Sequence, residues 1–206
     1  MLLLPDSRFI LKDFPMNIVS AFFKLIRWPN LFFIAATQVL FRFFVLNFVY
    51  KGSNNDYGQN IKLSLPLFYW LVFASICIAA AGYIINDYFD VNIDLVNKPG
   101  KLIVDRYIKR RWTIVWHIVL SFIGLLISCY IGYKLRNFYI PLFNFAAIIS
   151  LFFYSTTFKK KLLIGNIIIS LLTAWVILVL TFSEYRFRIV FPDIYWKRLL
   201  KVSFIY

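Results

Sequence analysis

Acidic residues are scarce in this chain: nine among 206, against 23 lysines and arginines, for a formal charge of +14. Histidine occurs once, as His117, and cysteine twice, as Cys77 and Cys129. The two cysteines lack metal-ligand spacing, which argues against a cysteine metal centre; both lie in apolar runs and are expected to be buried, reduced side chains. The lone histidine, inside an apolar run, is expected to be a satisfied polar spot between helices. The N-terminal MLLL stops at Pro5 and Asp6, too short for a secretory signal, so the first long apolar run is expected to direct its own insertion. No internal repeat or low-complexity linker divides the chain, and residues 1–206 read as one domain. Basic helices and ordered aromatic spacing are also missing, so no nucleic acid is expected among its partners.

What the chain has in excess is apolar surface. Hydrophobic residues make up 62% and aromatics 21%, with a mean hydropathy of +0.76. That composition indicates an all-α transmembrane helical bundle in contact with membrane lipids. Five runs are long enough to cross roughly 30 Å of hydrocarbon at about 1.5 Å per residue, near 28–49, 66–86, 112–132, 138–157 and 162–182. A tail after residue 183 ends in what reads as the stub of a sixth. Arg42 interrupts the first run, and an arginine facing lipid there is costly, so it should face the bundle interior or snorkel. The basic residues segregate. Arg8, Lys12, Lys24 and Arg27 precede the first span, Lys98 to Arg111 follow the second, and Lys159 to Lys161 follow the fourth. The other loops are poor in them. By the positive-inside tendency the N-terminus and the 87–111 region face the cytoplasm; a bacterial inner membrane is the expected location.

The scarce acids are concentrated. Asn86–Asp94 reads NDYFDVNID, directly after the apolar SICIAAAGYII. Asp87, Asp90 and Asp94 are spaced i, i+3, i+7, which puts them within roughly 60° of one another on one helix face. Like charges so close repel unless a cation neutralises them. Hard carboxylate oxygens suit Mg²⁺, which completes its shell with water and substrate phosphates. The set therefore reads as a bridge between metal and a phosphorylated ligand at the membrane edge. The plain alternative is a solvated helix end. Against it stand the apolar run before the cluster, the small Ala79, Ala80, Ala81 and Gly82 that let helices approach, and Lys98 and Lys101 flanking the Pro99-Gly100 turn.

The run GYIINDYFDVNIDLVNKPGKLIV resembles the first aspartate-rich signature of the UbiA superfamily of intramembrane prenyltransferases. KLIRWPNL (Lys24–Leu31) and YSTTFKKKLLIGN (Tyr154–Asn166) are similar to that family's first-helix entry and its Tyr-Ser…Lys segment. The resemblance covers about residues 24–182. It implies a bundle of about nine spans that moves a polyprenyl group from a prenyl diphosphate to an aromatic or other hydrophobic, lipid-like acceptor with Mg²⁺. On that resemblance Asp87, Asp90 and Asp94 are the catalytic and metal-binding set, with Asn86 beside them. Lys101 would contact the diphosphate, and Arg27, Asn30, Tyr154, Ser155 and Lys159 would line the cavity or headgroup site. A quinone precursor or a geranylgeranylglyceryl phosphate type of acceptor is expected. The family's second aspartate-rich motif has no counterpart here: after Asp94 only Asp105, Glu184 and Asp193 remain. The chain is accordingly expected to be the N-terminal part of a longer enzyme, incomplete at its C-terminus, with weak or no turnover alone. An alcohol phosphatidyltransferase also places aspartates at a membrane edge, but its Asp-Gly and Ala-Arg pairs are missing. A carboxylate-based ion-coupled transporter would place acids nearer mid-membrane.

Overall fold

Every expected span forms a helix, and the longest overshoots its prediction. The computed structural model describes residues 17–48, 61–97, 102–184 and 194–205. A short α1 (Ile18–Leu25) leads to α2 (Trp28–Leu40), which continues as a π-helical stretch over Phe41–Leu46. Then follow α3 (Leu65–Asn97), α4 (Arg110–Leu135), α5 (Tyr139–Thr156), α6 (Leu162–Ser183) and α7 (Ile194–Ile205). Five helices are long and apolar enough to cross a membrane: Trp28–Leu46, Leu65–Asn97, Arg110–Leu135, Tyr139–Thr156 and Leu163–Ser183. No strand occurs among the described residues beyond one isolated bridge, Val104 to Ile108. The tail expected as a stub is α7, a helix of 12 residues packed on α6.

Helix α3 has 33 residues, roughly 50 Å at about 1.5 Å per residue, against a hydrocarbon layer of about 30 Å. The expected span 66–86 is thus only its inner part. Asp87, Asp90 and Asp94 ride on the same continuous helix where it leaves the apolar layer. Within lipid there is no solvent-driven reason for helices to associate, so close contact between small residues matters. A Cβ on Gly82 of α3 would lie 2.8 Å from Leu151 Cδ2 of α5, so the glycine sets how near these two helices come. Ala80 and Ala81 beside it are buried. Helix α4 packs with the side that carries Gly124, Ser128, Ile131 and Leu135. Cys129 lies about 100° off that side and is exposed, contrary to the burial expected from its apolar run; Cys77 is buried.

The two ends of the bundle differ in how they close. At the end holding Asp87, the loop between α3 and α4 folds back so that Val104 and Ile108 pack with Ala21, Leu25, Leu31, Ile84 and Val91. Asp105 turns this loop with φ 66°. Its Oδ1 accepts the Arg110 N–H at 3.1 Å, giving α4 the N-terminal cap that Lys109 does not supply. Phe22 meets Trp116 at 5.0 Å and ties α1 to α4.

At the opposite end Arg42 is interior, as its cost in lipid demands, with 5% of its surface exposed. Its guanidinium donates to the Leu63 carbonyl at 2.7 Å and lies 3.9 Å from the carboxylate of Glu184, itself 1% exposed. Glu184 also accepts the backbone N–H groups of Lys62 and Leu63 at 2.8 and 3.0 Å. One carboxylate thereby satisfies two orphan donors of the α2–α3 connection and balances a buried cation. Glu184→Ala takes a partner from all three and leaves the buried guanidinium without its carboxylate, so it should destabilise the protein by about 3 kcal/mol in a reversible denaturation in detergent. A loss below about 0.5 kcal/mol would show that this contact does not hold the end together.

Candidate functional site

The acidic face of α3 meets two cations brought from different parts of the chain. Arg27 sits between α1 and α2 in the left-handed region, at φ 52° and ψ 54°. A left-handed arginine costs about a kcal/mol and persists only where its surroundings fix it. Here the Arg27 carbonyl accepts the Asn30 N–H at 2.9 Å and Pro29 opens α2, so the kink is built into the helix start. The kink aims the side chain at α3: Nη2 donates to Asp87 Oδ1 at 2.8 Å, and the guanidinium stands 5.2 Å from the centre of the Tyr83 ring. Tyr83 and Asp87 are one turn apart, so both address the same cation.

The second cation is Lys159, on the 3-10 turn Phe158–Lys160 between α5 and α6. Its ammonium donates to Asp90 Oδ2 and, at 3.2 Å, to Asn86 Oδ1. Asn86 in turn donates through Nδ2 to Asp90 Oδ2 at 3.0 Å. Asn86, Asp90 and Lys159 thus close a three-membered polar ring. The turn is held by close packing: the Gly165 N–H donates to the Lys161 carbonyl at 2.9 Å, and a Cβ at Gly165 would lie 2.9 Å from the Phe158 carbonyl oxygen.

Five of the residues singled out from the sequence are therefore in direct contact: Arg27, Asn86, Asp87, Asp90 and Lys159. Asp94 lies one turn beyond Asp90, half-buried, with no ion pair or hydrogen bond among the described residues. Asn30 is exposed on α2 and does not reach the carboxylates. Tyr154 packs near Gly165, and buried Ser155 donates to the Leu151 carbonyl of its own helix at 2.9 Å. Lys98 and Lys101 lie outside the described residues. Tyr83 was not singled out from the sequence; its place four residues before Asp87 was the available signal. His117 is satisfied as expected, with Nδ1 3.0 Å from the Ala81 carbonyl, which requires the proton on that nitrogen. Asn166 lies with Leu163, Ile167, Ser170 and Leu171 along an open groove on α6 of about 450 Å³.

Chemically the arrangement offers hard oxygen donors and cations side by side. Among the described residues no three acidic, cysteine or histidine side chains converge to enclose a metal by themselves. That fits Mg²⁺, which takes one or two carboxylates and fills its remaining positions with water and phosphate oxygen. It does not fit a closed structural metal site. Arg27, on Asp87, and Lys159, on Asp90, add N–H donors of the kind that pair with polyanions.

The model of the UbiA prenyltransferase family matches residues 57–188. Digeranylgeranylglyceryl phosphate synthase of Sulfurisphaera tokodaii is 33% identical over 156 residues, which cover 76% of this chain and 50% of that protein. The enzyme of the same name from Methanosarcina barkeri is 29% identical over 157 residues, 75% of this chain and 52% of its own. A solved structure described as digeranylgeranylglyceryl phosphate synthase in membranes superposes with a TM-score of 0.64 at 26% identity, over 83% of this chain and 55% of its own. The chain spans about half the length of these relatives.

Gly165→Val should push the 3-10 turn off α6 and carry Lys159 away from Asp90. Nitroxide labels at Ile93 and Lys161 would then show a longer, broader distance distribution by pulsed EPR. An unchanged narrow distribution would mean that the contact at Gly165 does not position Lys159.

Proposed function

The chain belongs to the UbiA prenyltransferase family, and from that premise we propose that its α3 carboxylates grip the diphosphate of a polyprenyl donor through Mg²⁺, for transfer of the polyprenyl group to a lipid-like acceptor. The observation that carries this reading is the placement of Asp87 and Asp90 on α3 just beyond its apolar part, each touching one cation from elsewhere in the chain. A transporter would want such acids inside the span. A phosphatidyltransferase would want Asp-Gly and Ala-Arg pairs that this segment lacks.

Asp87 and Asp90 would hold the metal directly, with Asn86 orienting Asp90, and Asp94, one turn on, would join them through metal-bound water. When bound, Mg²⁺ stabilises the negative charge that gathers on the departing diphosphate. Arg27 and Lys159 take a share of the same charge as fixed donors. The bond between the allylic carbon and the diphosphate oxygen breaks with its electron pair leaving on diphosphate; the acceptor hydroxyl bonds to the carbon and gives up its proton, which diphosphate takes. That carbon is cationic in character and has to be kept from water; a helical bundle rich in phenylalanine provides dry surroundings. The name of the relatives, digeranylgeranylglyceryl phosphate synthase, supports a glyceryl phosphate acceptor carrying its own prenyl chain, in preference to a quinone precursor. Integral membrane placement follows from five apolar helices. The basic segments support a cytoplasmic site end. The relatives above are archaeal, so nothing among them supports the bacterial inner membrane expected from the sequence.

Purified protein should bind geranylgeranyl diphosphate in the presence of Mg²⁺ and lose that binding on chelation. Asp87→Asn and Asp90→Asn should each weaken it at least about tenfold, the loss of one charge-assisted contact. Binding that ignores Mg²⁺, or that survives both substitutions intact, would overturn the proposal.

A further inference from the structure

Among the described residues two arginine–carboxylate contacts lie at opposite ends of the bundle, and they are built for different purposes. Arg42 and Glu184 have side chains 6% and 0% exposed, and further hydrogen bonds from the backbone hold the carboxylate. Such a pair cannot give up either member without stranding a buried charge. The pairs on the acidic face are open by comparison. Arg27 and Asp87 have side chains 44% and 20% exposed, and Lys159 and Asp90 35% and 14%. Only the cation of each pair reaches well into solvent, the carboxylates being a fifth exposed or less, so water screens the pairs in part and the long cationic side chains lose freedom to form them. They are weak enough to be exchanged.

We propose that Arg27 and Lys159 are exchangeable counter-ions: each competes with the divalent cation for a carboxylate, and releases that carboxylate by moving to the diphosphate. This rests on the reading above, that the site takes Mg²⁺ and a diphosphate, and adds how the two are coupled. A divalent cation arriving alone has to displace an ammonium from Asp90 and a guanidinium from Asp87. A diphosphate arriving alone has to draw those cations away from carboxylates that then repel it. Arriving together, each removes the obstacle to the other. The phosphate oxygens take the two side chains, and the freed carboxylates take the metal. The coupling is reciprocal by thermodynamic necessity: whatever factor diphosphate adds to metal affinity, metal adds to diphosphate affinity. No covalent step is involved. The geometry supports short movements, since Lys159 stands on a three-residue turn and already shares its ammonium between Asp90 and Asn86.

The consequence is a pair of effects with opposite signs. Arg27→Gln or Lys159→Met removes a competitor for the carboxylates and a donor for the phosphates at once. The affinity for Mn²⁺ alone, read by EPR of the free ion, should rise several-fold, about threefold to tenfold for removal of one neighbouring cation. The affinity for inorganic pyrophosphate, titrated calorimetrically in chelator, should fall about tenfold. Lys134→Met, at the opposite end of the bundle, should change neither. A residue that only binds phosphate would weaken pyrophosphate and leave bare Mn²⁺ unchanged. A residue that only supports the fold would weaken both. Either pattern in both variants overturns the exchange while leaving the prenyl diphosphate reading intact. Failure of the wild-type protein to bind Mn²⁺ even with pyrophosphate present would overturn both.

Discussion

A carboxylate at the edge of a hydrocarbon layer is tolerable only when something positive stands next to it, and this requirement organises the site end of the molecule. Two aspartates on α3 need two cations, and neither comes from α3 itself. One is delivered by a left-handed kink that separates α1 from α2; the other by a short turn joining α5 to α6. To bring both to one face, the bundle has to pack α3 centrally, with Gly82 permitting α5 to come close and the α3–α4 loop folding back to brace α1. The packing of the helices and the electrostatics of the site are therefore one problem with one solution.

The far end solves the same electrostatic problem differently. There the charges are sealed in, and Glu184 does structural duty by accepting backbone N–H groups that the α2–α3 connection leaves bare. Charge placement thus divides the molecule along its length. The end facing away from the aspartates is closed by an ion pair that is dry. The aspartate end is able to exchange partners because its pairs touch water.

Much of this was legible in the residues. Apolar runs of spanning length gave five helices, and the spacing Asp87, Asp90, Asp94 gave the acidic face, because helical periodicity is a local property. Arg42 was legible as interior because an arginine in lipid is too costly to leave outside. Its partner was not, since Glu184 lies 142 positions away and nothing local marks it. The 33-residue length of α3 was also hidden: hydropathy reports where the apolar layer ends, whereas the helix runs on through acidic residues that have good partners. Cys129 shows the same limit from the other side. An apolar run does not say which of its faces is packed, and that residue fell on an exposed side. Arg27 and Lys159 entered only by resemblance to a family segment, and the structure puts physical content into both through Asp87 and Asp90.

The account turns on where a divalent ion sits relative to α3. A structure of the protein with Mn²⁺ and pyrophosphate, with the metal located by its anomalous scattering, tests it most directly. The expected result is manganese bridging the Asp87–Asp90 face to pyrophosphate oxygens, with Arg27 and Lys159 turned onto the phosphates. Manganese bound away from α3, with both aspartates still paired to Arg27 and Lys159, would contradict it.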